Sequence, residues 1–238
     1  MTQALFLLEN RLPRVVGSIG GLQDLRDADP AEVRLACDLA EIRLDLLVDP
    51  SPTQSPAPWH HLHGIPLLFT ARRKDEGGGR SLDAATRMRL LSAALDHAAC
   101  LDIEVASIDE MDELLQHLKT RKLPWIASFH DFLRLPDTPV LIEAAQRAHA
   151  AGACIFKVAA HLAHPADLAR LAEFQLADHP LPVATMGMGP LAAVSRLLCA
   201  QCGSALNYGH LGKIPTAPGQ WPAALLQQTL SRLEPLKN

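Results

Sequence analysis

Lys157 stands in the run Ala153-Cys154-Ile155-Phe156-Lys157-Val158-Ala159-Ala160, where every neighbour is apolar or small. An ammonium group loses its hydration in such surroundings, so burial favours the uncharged amine. An uncharged lysine attacks ketones to form an imine, which a solvated lysine with a pKa near ~10.4 does poorly at neutral pH. The plain alternative is a lysine at a strand end that carries its charge out to water along its own stem. The rest of the chain decides between the two.

Other reactive types recur at the ends of short apolar runs. Ser18 closes the first such run, and Glu41-Ile42-Arg43 puts opposite charges at alternate positions, hence on one face of a strand, where a simple ion pair is the ordinary expectation. Phe69-Thr70-Ala71-Arg72 leads into Lys74-Asp75-Glu76-Gly77-Gly78-Gly79-Arg80, a charged, glycine-rich loop suited to closing over a ligand. Asp102-Ile103-Glu104 repeats the alternate acids, and Ser128-Phe129-His130-Asp131 adds a histidine. Met186 and Met188 offer an apolar wall, and Ser195-Arg196 opens a helical pattern. Thr216-Ala217-Pro218-Gly219-Gln220 supplies a hydroxyl, an amide and free backbone N–H groups. An amine, a histidine, several carboxylates and three arginines on one face describe a site for an anionic, hydroxylated ketone.

These residues need a scaffold that gathers strand ends. Eight β-prone runs begin at Arg14, Leu39, Leu67, Leu101, Trp125, Ile155, Val183 and Ala205, and most are separated by helical periodicity, as in 82–99, 108–119, 140–151 and 165–177. Strand then helix, eight times, predicts a single (β/α)8 TIM barrel over 1–238 with a short N-terminal extension, Met1 to Leu12, placed to cover the barrel floor. The second helix is the weak link, because Asp49 to His63 is short and proline-rich. His60, His61 and His63 read as a solvated surface segment.

Composition narrows the function further. With 48% apolar and 20% charged residues and a net charge of −4, the chain has no basic excess for nucleic acid. No apolar stretch reaches the ~20 residues that span a bilayer and no basic signal start is present, so a cytoplasmic protein without membrane association is expected. Cys37, Cys100, Cys154, Cys199 and Cys202 are scattered and odd in number, which predicts reduced core residues, Cys199-Ala-Gln-Cys202 included.

The chain resembles the type I 3-dehydroquinate dehydratases. The resemblance runs in order through Glu41-Ile42-Arg43-Leu44-Asp45, Phe69-Thr70-Ala71-Arg72 with Glu76-Gly77-Gly78, Asp102-Ile103-Glu104, Ser128-Phe129-His130-Asp131-Phe132, Phe156-Lys157, Met186-Gly187-Met188 with Ser195-Arg196, and Ala217-Pro218-Gly219-Gln220. It implies a (β/α)8 barrel, commonly a homodimer, that uses neither metal nor cofactor and converts 3-dehydroquinate to 3-dehydroshikimate. By the same resemblance Lys157 forms the imine at the C3 ketone, His130 is the general base at C2, and Glu76 orients that histidine. Arg196 and Gln220 would hold the carboxylate region, Glu41, Arg43 and Arg72 the hydroxyls, and Ser18 the same pocket. Thr216 stands where the family usually has serine, and the loop after Lys157, Val158 to Pro165, lacks the family's Met-Pro. The alternatives are a class I aldolase-type barrel, which would need a phosphate nest after strands seven and eight, and a catalytically silent metabolite-binding barrel.

Overall fold

The structure, a computed structural model, describes residues 13–47 and 57–234. The expected extension Met1 to Leu12 and most of the proline-rich loop after Asp49 lie outside the described residues.

Eight strands carry the fold: β1 (Arg14–Ile19), β2 (Leu39–Arg43), β3 (Leu67–Thr70), β4 (Cys100–Glu104), β5 (Trp125–Asp131), β6 (Ile155–His161), β7 (Val183–Met188) and β8 (Leu206–His210). All pair in parallel in the order β7-β6-β5-β4-β3-β2-β1-β8, so first and last described strands are neighbours and the sheet curls into a (β/α)8 barrel. Between β7 and β8 the ladder thins: Ala205 N–H donates to the Val183 carbonyl at 2.9 Å, and the Ser204 hydroxyl accepts the Thr185 N–H at 3.1 Å. Strands buried on both faces read as continuous apolar runs, which is why all eight were visible in sequence.

Helices α1 (Leu22–Asp27), α2 (Pro30–Ala36), α3 (Ala84–Ala94), α4 (Asp112–Arg121), α5 (Thr138–Ala150), α6 (Pro165–Leu176), α7 (Ala192–Gln201) and α8 (Ala223–Leu230) lie between or after the strands. Two start on an acid that accepts an otherwise unpaired N–H: Asp29 from Ala31 and Asp83 from Thr86. The 82–99 pattern is cut short, with α3 ending at Ala94 and a 3-10 turn covering Leu95–His97. After β2 the described residues hold only a 3-10 turn, His60–Leu62, with His60 and His63 exposed and Trp59 buried, its ring edge-on to Phe69 at 4.8 Å.

Alternation along the strands divides the interior. Val15, Ile42, Phe69, Ile103 and Phe156 point outward to the helices, whereas Val16, Leu39, Leu68, Ile126, Ile155 and Leu206 fill the barrel. Two residues further along the same inward faces, the apolar set gives way to Ser18, Glu41, Thr70, Asp102, Ser128 and Lys157, all buried. The barrel is thus oil at its amino end and charge at its carboxyl end.

Candidate active site

One cavity at the carboxyl ends of the strands is lined by Ser18, Glu41, Arg43, Arg72, Glu76, His130, Lys157, Arg196, Thr216 and Gln220, whereas Asp102, Glu104, Ser128 and Ser195 lie behind its wall. Register accounts for the gathering, since Ser18 pairs with Glu41, Arg43 with Thr70, and Ser128 with Lys157 on adjacent strands.

Lys157 is 4% exposed. Its Nζ lies 2.9 Å from Asp102 Oδ2 and 4.0 Å from the centroid of the Tyr208 ring. It does not reach water along its stem. Burial draws its pKa below the ordinary 10.5, against the pull of Asp102 and with the help of Arg72. Asp102 is itself held well below the usual carboxylate range: burial opposes this, but the charges of Arg72, 2.9 Å away, and of Lys157 outweigh it, and the Ser128 hydroxyl donates to the same carboxylate at 2.6 Å. Arg72 also meets Glu104 at 3.1 Å and donates to Ser128.

Glu76 comes from the 3-10 turn Lys74–Glu76 and reaches β5, where its Oε2 accepts the His130 backbone N–H at 2.9 Å and stands 2.9 Å from Nδ1. In the tautomer with its proton on Nδ1, the ring donates to that same oxygen, and the Nε2 lone pair is left for the cavity. Burial holds the His130 pKa well below 6.5, with Arg72 and Lys157 adding to the effect. Burial likewise pushes Glu76 up to about 8, reinforced by Glu104 and opposed by Arg72. Near neutral pH the imidazole is therefore a neutral base, oriented by a carboxyl group that still holds its proton. The loop 74–80 is pinned rather than loose: Gly78 N–H donates to the Arg73 carbonyl and Gly79 N–H to Asp45. Gly77 takes a left-handed φ of 87°, and a Cβ there would collide with the Phe132 ring.

The anion end is built differently. Arg196 is 1% exposed, yet its bonds go to carbonyls alone: Nε to Tyr208, Nη1 to Gly187 and Ala192. No carboxylate among the described residues pairs with it, burial pulls its pKa to about 10, and Nη2 is left for the cavity. Gln220 turns its Oε1 to the Thr216 N–H and hydroxyl, both 2.9 Å, which frees its amide N–H groups. A buried guanidinium beside free amide donors calls for a carboxylate from outside the chain.

Several sequence expectations are corrected here. Glu41 and Arg43 form no ion pair with each other: Glu41 accepts from the Ser18 and Thr70 hydroxyls, while Arg43 makes a bidentate bridge to Asp45 at 2.9 and 2.8 Å. Asp45 also accepts the Arg72 and Gly79 N–H groups, so one buried carboxylate ties β2 to the loop bearing Glu76. The stretch after Lys157 is strand as far as His161, not loop. Sequence reasoning passed over Arg87 on α3, which is buried and bridges Glu104, Ser107 and Glu110 behind the site. Its signal was a charge on the helix face shared with Leu90, Leu91 and Ala94. Cys37, Cys100 and Cys199 are buried thiols, whereas Cys154 and Cys202 are half-exposed. Among the described residues no group of three His, Cys, Asp or Glu side chains is placed to hold a metal ion.

Comparison with known proteins points one way. A family model for type I 3-dehydroquinase matches residues 22–237. A 3-dehydroquinate dehydratase of Methanocella arvoryzae is 33% identical over 208 residues, covering 87% of this chain and 91% of that protein. One from Methanothrix thermoacetophila is 33% identical over 224 residues, 94% and 93% of the two chains. The solved 3-dehydroquinate dehydratase of Geobacillus kaustophilus superposes with a TM-score of 0.80 at 28% identity, covering 92% of this chain and 90% of that one.

Proposed function

The chain belongs to the type I 3-dehydroquinases, and from that premise we propose how its own residues dehydrate 3-dehydroquinate to 3-dehydroshikimate through a lysine Schiff base, a step of the shikimate pathway towards aromatic amino acids. The observation that carries the reading is the meeting of three unlike groups in one cavity: a desolvated amine, a neutral histidine, and a buried guanidinium that has no carboxylate partner among the described residues.

Lys157, uncharged, adds to the C3 carbonyl, and the carbinolamine loses water to give a protonated imine. That cation is a far better electron sink than the ketone, so the C2–H becomes acidic. His130 Nε2 removes the C2 proton; the C–H pair forms a C2=C3 double bond and the C=N π pair returns to nitrogen, giving an enamine. The enamine then expels the C1 hydroxyl, which leaves as water with a proton returned by His130. Hydrolysis of the product imine consumes one water and releases 3-dehydroshikimate with Lys157 restored. Net, one molecule of water leaves the substrate. Glu76 fixes the tautomer that makes Nε2 the base.

Arg196 and the Gln220 amide hold the substrate carboxylate. Glu41, Arg43 and Arg72 accept or donate to its hydroxyls, with Ser18 and Thr216 lining the same pocket. A carboxylate clamp rather than a phosphate nest favours this substrate over the phosphorylated sugars of aldolases. The same reading takes 1–238 as one catalytic domain, working as a cytoplasmic homodimer with neither metal nor cofactor; among the described residues no helix is long and apolar enough to cross a membrane.

Borohydride reduction in the presence of 3-dehydroquinate tests the assignment. A stable adduct is expected on Lys157 alone and is lost in Lys157→Ala, whereas His130→Ala retains some adduct and loses elimination by about 10²–10⁴-fold. An adduct on Lys74 or Lys213 would overturn it.

A further inference from the structure

The fold fixes two neighbours of the Lys157 amine. Asp102 Oδ2 is one, at 2.9 Å, and the face of the Tyr208 ring is the other, its centroid 4.0 Å from Nζ. Tyr208 is 4% exposed and packs inside the barrel with Val16, Leu39 and Leu206. Its hydroxyl is buried and has no hydrogen-bond partner among the described residues. Packing, not a bond through oxygen, therefore sets the ring against Nζ.

A neutral amine is tetrahedral, with two N–H bonds and one lone pair. If one N–H donates to Asp102 and the other meets the electron-rich ring face, the lone pair takes the remaining direction. That direction is the open side of the amine, the cavity that Lys157 and Tyr208 both line. Resting on the assignment of Lys157 as nucleophile, we propose that Tyr208 is a positioning residue for the reaction: its ring face and Asp102 together hold the two N–H bonds of neutral Lys157, so that the lone pair is aimed at the substrate carbonyl. The ring has a second effect on the same atom, because its quadrupole attracts the ammonium form and so opposes the desolvation that favours the free amine. An aliphatic side chain would fill the space and do neither. The other charged or titratable groups facing Nζ are Asp102 on β4, Arg72 just after β3, Glu41 on β2 and His130 on β5; substitution at 208 leaves all four chemically unchanged, so differences between variants report the ring.

The test follows imine formation alone, without elimination. Enzyme is mixed rapidly with 3-dehydroshikimate from pH 5 to 9, quenched with cyanoborohydride, and the adduct on Lys157 is counted by mass spectrometry. In Tyr208→Leu the plateau rate falls about ten-fold or more through lost orientation, and the acid limb of the profile moves to lower pH by about 0.5 to 1.5, the equivalent of a lost cation–π contact. Because that change alters shape and can impair folding, a series with phenylalanine bearing none, one, two or three ring fluorines at position 208 is the stricter comparison. Fluorine drains the ring face while nearly preserving its size, so the acid limb is expected to move to lower pH and the plateau to fall with each fluorine. A limb and plateau that stay fixed across the series, while the wild-type enzyme still traps at Lys157, overturn the role of Tyr208 and leave the enzyme assignment standing. No adduct on Lys157 in the wild type would instead remove the assignment on which the role rests.

Discussion

Replacing Glu76 by Gln should stabilise the protein, and increasingly so as pH rises. In the unfolded chain the Glu76 carboxyl titrates near 4.5, whereas burial in the folded site lifts it to about 8. Below 4.5 both states hold the proton and the group adds no pH dependence. Between 4.5 and about 8 the unfolded state ionises while the folded state does not, so the folded state binds more protons and stability falls as pH rises. Above about 8 the penalty is constant. At about 1.4 kcal/mol per pH unit it reaches roughly 3 kcal/mol at pH 7 and 4–5 kcal/mol above pH 8, an upper bound that water entering the open cavity reduces. Glutamine keeps a carbonyl to accept the His130 backbone N–H and Nδ1–H, so the comparison isolates the charge. Equilibrium urea unfolding of both proteins at pH 5, 6, 7, 8 and 9 should give curves that nearly coincide at pH 5 and separate by several kcal/mol by pH 8. A gap that shrinks with rising pH would mean that Glu76 is an ionised carboxylate held by an imidazolium, and would refute the reasoning.

Arg196→Lys keeps the charge but not the planar fork, and should raise KM for 3-dehydroquinate about 10- to 100-fold, with an unchanged far-UV spectrum; unaltered steady-state kinetics would remove Arg196 from the carboxylate site. Asp102→Asn leaves Arg72 and Lys157 buried with one counter-charge fewer, so a loss of about 3–5 kcal/mol in denaturant titration is expected, together with a further lowering of the Lys157 pKa. Stability within 1 kcal/mol of wild type would contradict that. Gly77→Ala forces a side chain into a left-handed φ of 87° and into the Phe132 ring. It should cost about 1–3 kcal/mol, lower the thermal midpoint by several degrees, and cut turnover by displacing Glu76; full activity would show that the turn can rearrange without consequence.

The strands were legible because the barrel buries both of their faces, so that Leu67 to Thr70 or Ile155 to Val158 read as apolar without alternation. Lys157 was legible for the same reason: a cation in such a run has few explanations. What the sequence concealed were partners. Glu41 and Arg43 look like a pair at a spacing of two, but Glu41 turns to the hydroxyls of Ser18 and Thr70 on the strands either side, and Arg43 pairs instead with Asp45, two residues further along its own segment. Arg87 was concealed because its contacts, Glu104 and Glu110, sit on other elements. The protonation of the Glu76–His130 pair was concealed because it depends on burial supplied by the whole barrel mouth.

The pairing of β1 with β8 also bears on how a cell makes this enzyme. Arg14 to Ser18 hydrogen-bond with Leu206 to His210, strands separated by nearly the whole described chain. Chains leave the ribosome amino end first, at about 5–20 residues per second, so the β1 edge must wait many seconds for its second neighbour. Until then an edge of Val15 and Val16 stands open, a template for the wrong strand. The reacting face waits as well, since Ser18 comes from the first strand, Lys157 from the sixth and Tyr208 from the last. A nascent chain released before β8 would carry an imine-forming lysine with no finished pocket around it, and chaperone demand should concentrate in that interval.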